Sequence, residues 1–163
     1  MSEPLLDRAV SWIIVPAVLT IISVGFAGIV LRYAFNGEYS IFWAEEFIRY
    51  GFIWVFWLVS PIAVRRGTFA VDMLVERLPR GLHLAVAIGC NLAVLAVLAI
   101  YVWEGVTMTR VNGSQLSTAL EVPMAWVYAA IPVGSAAMFA VIAQQTWTMI
   151  RTGSLPAAPE MHS

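Results

Sequence analysis

Apolar runs closed by arginine or glutamate take up most of this chain, and their lengths decide its class. From Ala9 to Leu31, 23 residues pass without a charge; Gly81 to Trp103 supplies another 23, and Val122 to Ile150 supplies 29. A fourth run, 15 residues from Tyr50 to Val64, extends upstream through Ile41, Phe42, Trp43 and Phe47 around three charges. Crossing a hydrocarbon core of about 30 Å takes about 20 helical residues at ~1.5 Å each. None of the runs alternates as a membrane strand does. The pattern predicts an all-α integral membrane protein, a single membrane domain with four transmembrane helices over about residues 10–31, 41–64, 81–103 and 123–150.

Within these runs the small and polar positions are patterned. Gly25 and Gly28 thin the second half of the first helix so that a neighbour can approach. Arg32 and Tyr33 end it at interface depth, and Asn36-Gly37 reads as a turn, with Ser40 as N-cap of the next helix. Ser60-Pro61 suggests a kink, and Arg65-Arg66-Gly67 stops the second helix. Residues 68–78 then set Thr68, Asp72, Glu76 and Arg80 on one stripe and Phe69, Met73, Leu74 and Val75 largely away from it, which predicts a short amphipathic helix on the membrane surface. Ala85, Gly89 and Ala93 form a small-residue ridge on the third helix. The fourth is expected to open with Pro123 in its first turn and to carry the small pair Ala130 and Gly134, with Pro132 interrupting its ladder. The tail over about residues 152–163 is expected to be disordered.

Composition sharpens the class. Hydrophobic residues make up 61% of the 163, and charged residues only 12%, against about 25% in a soluble domain. A net charge of -1 gives no electrostatic case for nucleic acid. Cys90 is the only cysteine, which excludes an intrachain disulfide and a thiolate cluster. The first run is too long for the apolar stretch of a signal peptide and is expected to be retained. All positive side chains are arginines. With both termini on one side, that side holds Arg8, Arg65, Arg66, Arg77, Arg80 and Arg151, and the other Arg32, Arg49 and Arg110. The imbalance predicts cytoplasmic termini.

No catalytic, cofactor or metal set emerges. The only histidines are His83, at the edge of the third helix, and His162, in the tail, so paired haem ligands at helix depth are lacking. Ser11, Ser23, Ser60 and Ser135 have no histidine at matching depth to activate them. The chemistry that stands out is Glu45, Glu46 and Arg49 at the start of the second helix. Glu45 and Arg49 are spaced to pair, while Glu46, rotated by about 100°, is left in need of another partner. Two readings stay open: a docking or polar-path cluster, or a solvated helix start at headgroup level. Asn91, near the middle of the third helix, reads as an interhelical hydrogen bond, with an ion site as the other reading.

Three stretches, in order, are similar to a known family. Arg32-Tyr33-Ala34-Phe35 with Trp43-Ala44-Glu45-Glu46-Phe47-Ile48-Arg49-Tyr50, then Arg65-Arg66-Gly67 with Val71-Asp72-Met73-Leu74, then Ser117-Thr118-Ala119-Leu120-Glu121-Val122-Pro123 with Tyr128 and Ile131-Pro132-Val133-Gly134, resemble the small permease subunits of tripartite ATP-independent periplasmic (TRAP) transporters, the DctQ-like Q-subunit family. Where relatives carry a histidine after the arginine–glycine turn, this chain has Thr68-Phe69, so no role resting on that histidine carries over.

The resemblance implies a partner and not an activity. It implies a bacterial inner-membrane scaffold for a large multi-helix permease, with a periplasmic substrate-binding protein delivering an organic acid or similar solute and sodium coupling in the large subunit. The candidate partner contacts are Arg32, Tyr33, Glu45, Glu46, Arg49, Gly89, Asn91, Ala130 and Gly134, with Arg65, Arg66 and Asp72 at the cytoplasmic interface beside membrane lipids. The alternatives are a four-helix anchor of a redox complex and a self-contained homo-oligomeric channel or exporter.

Overall fold

The computed structural model describes the backbone over residues 3–35, 41–65 and 80–153, and side chains over 12–35, 41–65 and 82–153. Five helices lie within these limits: α1 (Glu3–Ala34), α2 (Phe42–Arg65), α3 (Arg80–Val111), α4 (Met124–Tyr128) and α5 (Ala130–Thr152). They supply four stretches long and apolar enough to cross a membrane: Trp12–Ala34, Phe42–Arg65, Leu82–Val111 and Met124–Thr152. The four-helix membrane class expected from the apolar runs is therefore the observed one. The surface helix expected over 68–78, with Arg66 and Asp72, and the tail from residue 154 lie outside the described residues.

The helices are longer than the uncharged runs. α3 continues two turns beyond Trp103, through Glu104 to Arg110, because long polar side chains at a helix end reach the interface without breaking the ladder. Its end is held by Asn112, whose backbone N–H and side-chain amide both donate to the Met108 carbonyl, at 3.0 and 3.1 Å. A Cβ on the following Gly113 would stand 2.9 Å from the Thr109 carbonyl oxygen, so glycine is needed there.

The fourth crossing is interrupted at Ala129, which itself keeps a helical conformation (φ -60°, ψ -23°). α4 ends at Tyr128 and α5 begins at Ala130, just before Pro132, whose ring nitrogen cannot donate to the carbonyl a turn earlier. Pro123 stands at the N-cap of α4 with ψ 127°, one position ahead of the first-turn place expected for it.

The chain divides into two compact units. The first comprises Met1–Val59 and Thr107–Ala130. Within it α1 and α2 run antiparallel, and small residues set their approach. Gly51 faces Ile21, which is buried; Gly25 faces Ile48; Gly28 faces Ala44. A Cβ on Gly51 would fall 2.7 Å from Ile21 Cδ1, whereas one on Gly28 would meet Ala44 at an ordinary 3.9 Å. In lipid the surroundings are as apolar as the side chains, so close van der Waals fit of this kind, and not exclusion of water, holds helices together.

The second unit comprises Ser60–Val106 and Ile131–Ser163. A close approach within it is at Gly105, where a Cβ would meet Pro132 Cδ at 2.8 Å and the Pro132 nitrogen at 3.1 Å. Near the last turn of α5, the Arg151 guanidinium lies over the Trp147 ring, 5.0 Å from its centroid, a cation–π contact suited to the membrane interface. Large apolar side chains on both units point outward, Trp12, Phe26, Trp103 and Trp126 among them.

Candidate functional site

Glu46, Tyr50 and Trp54 recur every four residues on α2 and so share one face. All three make polar contacts to one segment, residues 118–126. The Glu46 carboxylate accepts three consecutive backbone N–H groups: Thr118 donates to Oε1, and Ala119 and Leu120 donate to Oε2, each at 3.1 Å. One turn on, the Tyr50 hydroxyl points to Met124 Sδ at 3.6 Å. A further turn on, the Trp54 indole N–H donates to the Trp126 carbonyl at 3.1 Å. The three contacts extend over eight residues, about 12 Å of helix.

The segment is shaped to offer those N–H groups. Ser117 N–H donates to the Val122 carbonyl (2.9 Å), Met124 N–H to the Gln115 carbonyl (2.8 Å), and Leu116 bridges antiparallel to Pro123. Val122 N–H also donates to the buried Ser117 hydroxyl, at 3.3 Å. Between these closures Glu121 takes a left-handed conformation, φ 53°, which for a residue with a side chain costs about 1–2 kcal/mol. The chain therefore turns through Thr118, Ala119 and Leu120 with their N–H groups converging, an arrangement that attracts an anion. Glu46 is that anion. Backbone N–H groups left unpaired at the edge of a membrane are costly, and one carboxylate satisfies three of them.

The partner that Glu46 lacks within its own helix is thus supplied by the same chain. Glu45 and Arg49 are both exposed, and among the described residues they form no ion pair with each other, contrary to their favourable spacing. A solvent-facing pair gains little and loses side-chain freedom, so the spacing permits a bond without requiring it. Arg32 and Tyr33 are exposed in the last turn of α1; Tyr33 is 80% exposed.

The remaining candidates separate by burial. Asn91 makes the interhelical hydrogen bond expected of it: its amide donates to Thr146 Oγ1 at 3.1 Å and lies 3.7 Å from Met149 Sδ. Thr146 in turn donates to the Ile142 carbonyl at 2.8 Å. Ala130, 0% exposed, and Gly134 are both buried within their own chain. Small side chains there let this chain close on itself. Gly89 does the opposite. It is exposed, with nothing within 4 Å of where a Cβ would stand, and Ala85 and Ala93 beside it are exposed too. Trp54 and Thr146 were not singled out from the sequence, and Tyr50 and Ser117 only as members of the family motifs; the four-residue recurrence from Glu46 is the signal that leads to Tyr50 and Trp54.

The region from the α1–α2 hairpin through the Glu46 loop to the end of α5 is the region of a family-wide match. Residues 21–152 fit the family model described as tripartite ATP-independent periplasmic transporters, DctQ component. The chain belongs to the DctQ family. A DctQ chain is a transporter component and not an enzyme, which fits a site made of structural hydrogen bonds. Among its relatives, the isethionate TRAP transporter permease protein DctMQ of Oleidesulfovibrio alaskensis is 27% identical over 122 residues, 73% of this chain and 19% of that protein. The C4-dicarboxylate TRAP transporter small permease protein DctQ of Rhodobacter capsulatus is 29% identical over 121 residues, 72% of this chain and 53% of that one. A chain of Haemophilus influenzae, provisionally named a TRAP transporter small permease protein, is 24% identical over 138 residues, covering 84% of this DctQ member and 82% of the relative. The match thus spans about a fifth of the first relative's length and about half of the second's.

Proposed function

We propose that this chain is the small membrane subunit of a TRAP-type uptake system in the bacterial inner membrane. It scaffolds a large permease subunit and helps a periplasmic binding protein to dock. Solute and sodium are handled by the large subunit, and the solute is a small organic acid. The observation that carries the scaffold reading is the exposed ridge Ala85, Gly89 and Ala93, smooth enough to admit another helix at close range. Membership of the family supports it, and so does the DctMQ relative, in which the matched region is a minor part of a longer permease protein. One continuous chain there keeps both parts side by side; here the same neighbour would have to be held by surface fit.

The docking role rests on the Glu46 loop. With cytoplasmic termini, as the arginine imbalance favours, residues 112–123 face the periplasm. Three charge-assisted hydrogen bonds to Glu46 hold their tip in one conformation, so a binding protein would meet a surface formed in advance. The solute class is supported by the two named relatives, whose solutes, isethionate and C4-dicarboxylates, are both small organic anions.

The test is copurification of an affinity-tagged chain with a large permease expressed beside it in mild detergent. Gly89→Leu, whose Cβ would have no neighbour within 4 Å in its own chain, is expected to lower recovery of the large subunit at least about tenfold, the loss of roughly 1.4 kcal/mol of association. Undiminished recovery with Gly89→Leu would remove the ridge from the interface, and no recovery with the native chain would remove the scaffold reading altogether.

A further inference from the structure

We propose that the cleft between the end of α1 and the start of α2 holds one aminophospholipid, its phosphate on Arg32 and its ammonium on Glu45. The cleft has a volume of about 600 Å³, within the range of roughly 300–1,000 Å³ typical of small-molecule sites. Its lining includes the small residues Gly25, Gly28 and Ala44, which leave space between the helices, and Ile29. Arg32 and Glu45 both line it. The charges sit close to the end of their membrane spans: Arg32 is two residues from the end of Trp12–Ala34, and Glu45 is three residues into Phe42–Arg65. At ~1.5 Å per residue that is within about 5 Å of each span's end, the depth of phosphate and headgroup. The lining reaches Gly25, about two turns from Arg32, and Ile48, about one turn from Glu45, and the start of an acyl chain would lie against them.

Charge complementarity selects the headgroup. Arg32 and Glu45 have opposite signs and share one cleft, yet they form no ion pair with each other. Both stand open to a third party that carries the reverse pair of charges. A guanidinium recognises a phosphate through its fork of donors, and a carboxylate accepts hydrogen bonds from a primary ammonium. Phosphatidylethanolamine carries that phosphate and that ammonium a short distance apart. Phosphatidylcholine has a cation but no N–H to donate, and phosphatidylglycerol has no cation. Arg49, one turn beyond Glu45, is exposed and does not line the cleft, so it does not compete for the carboxylate there. The proposal is independent of the transporter reading, because it needs only a bilayer and this hairpin.

The experiment is native mass spectrometry of the full-length chain released from detergent after titration with dioleoyl phosphatidylethanolamine, phosphatidylcholine or phosphatidylglycerol. The native chain is expected to retain one phosphatidylethanolamine, at roughly tenfold lower lipid concentration than either of the others. Glu45→Gln should remove the preference for phosphatidylethanolamine over phosphatidylglycerol. Arg32→Gln should weaken both, and Arg32→Lys should restore part of each. Ile29→Trp, at an exposed position and without change of charge, should block all three lipids, and it keeps the test open if a charge variant fails to fold. Equal retention of the three lipids by the native chain would overturn the proposal, as would a Glu45→Gln variant that keeps the native preference. So would charge variants that shed a copurified large permease while holding phosphatidylethanolamine as before, since Arg32 and Glu45 would then serve a protein contact.

Discussion

At the scale of single residues, one carboxylate gathers the tip of a loop whose base is closed by the Ser117–Val122 and Gln115–Met124 hydrogen bonds. Glu46 receives three N–H groups, and the loop around them includes Glu121 in a conformation that side chains avoid. Glu46→Gln leaves a neutral amide whose own N–H groups oppose those of the loop. The expected result is amide exchange at Thr118, Ala119 and Leu120 faster by on the order of tenfold, with little change along α3 and α5. Hydrogen–deuterium exchange of the two proteins in the same detergent measures it, and identical exchange at the three positions would show the clamp to be dispensable. Part of this site is legible in the sequence. Two adjacent glutamates at a helix start cannot both serve one arginine, so Glu46 stands out as needing a partner. Which partner is not legible, because main-chain N–H groups carry no residue signature and the loop lies more than 70 positions downstream. Asn91 was easier to read, since an amide in the middle of an apolar helix has few ways to be satisfied.

At the scale of helices, glycine and proline positions govern how closely the elements meet. The apolar runs locate all four crossings, because about 20 residues without a charge have no other use. The ends were less legible: α3 runs on through Glu104 and Arg110, residues that a count of uncharged positions treats as its end. Gly105 went unnoticed for a related reason. A lone glycine past the apolar run looks like loop material, yet it sits inside α3 against Pro132. Pro132 itself was readable as an interruption, and the ladder is interrupted at Ala129 three residues before it. A side chain at position 105 collides with backbone as well as ring, so the clash cannot be relieved by a rotamer change. Gly105→Val is expected to destabilise the fold by about 1–3 kcal/mol, the usual cost of overpacking. Thermal unfolding in detergent should show a lower midpoint for Gly105→Val than for Gly89→Val, which meets open space. Equal midpoints would mean that α3 and α5 separate at no cost.

For the whole molecule, the arrangement of arginines and the division of surfaces lead to one picture. Both termini are expected in the cytoplasm, six arginines against three. Single cysteines at Ser114 and Ser154, in a chain with Cys90 replaced by serine, test this with an impermeant thiol reagent on intact cells. Labelling is expected at Ser114 alone, and labelling at Ser154 alone would invert the molecule. The central claim is that this subunit contributes structure to transport and not transport chemistry. Its most direct test is solute uptake in proteoliposomes with the large permease and binding protein, comparing the native chain with Gly89→Leu while the amount of assembled complex is measured in the same vesicles. Uptake is expected to fall in proportion to assembled complex, with the KM for solute and the dependence on sodium unchanged. Full assembly with an altered sodium dependence would contradict the claim and put this chain on the transport path.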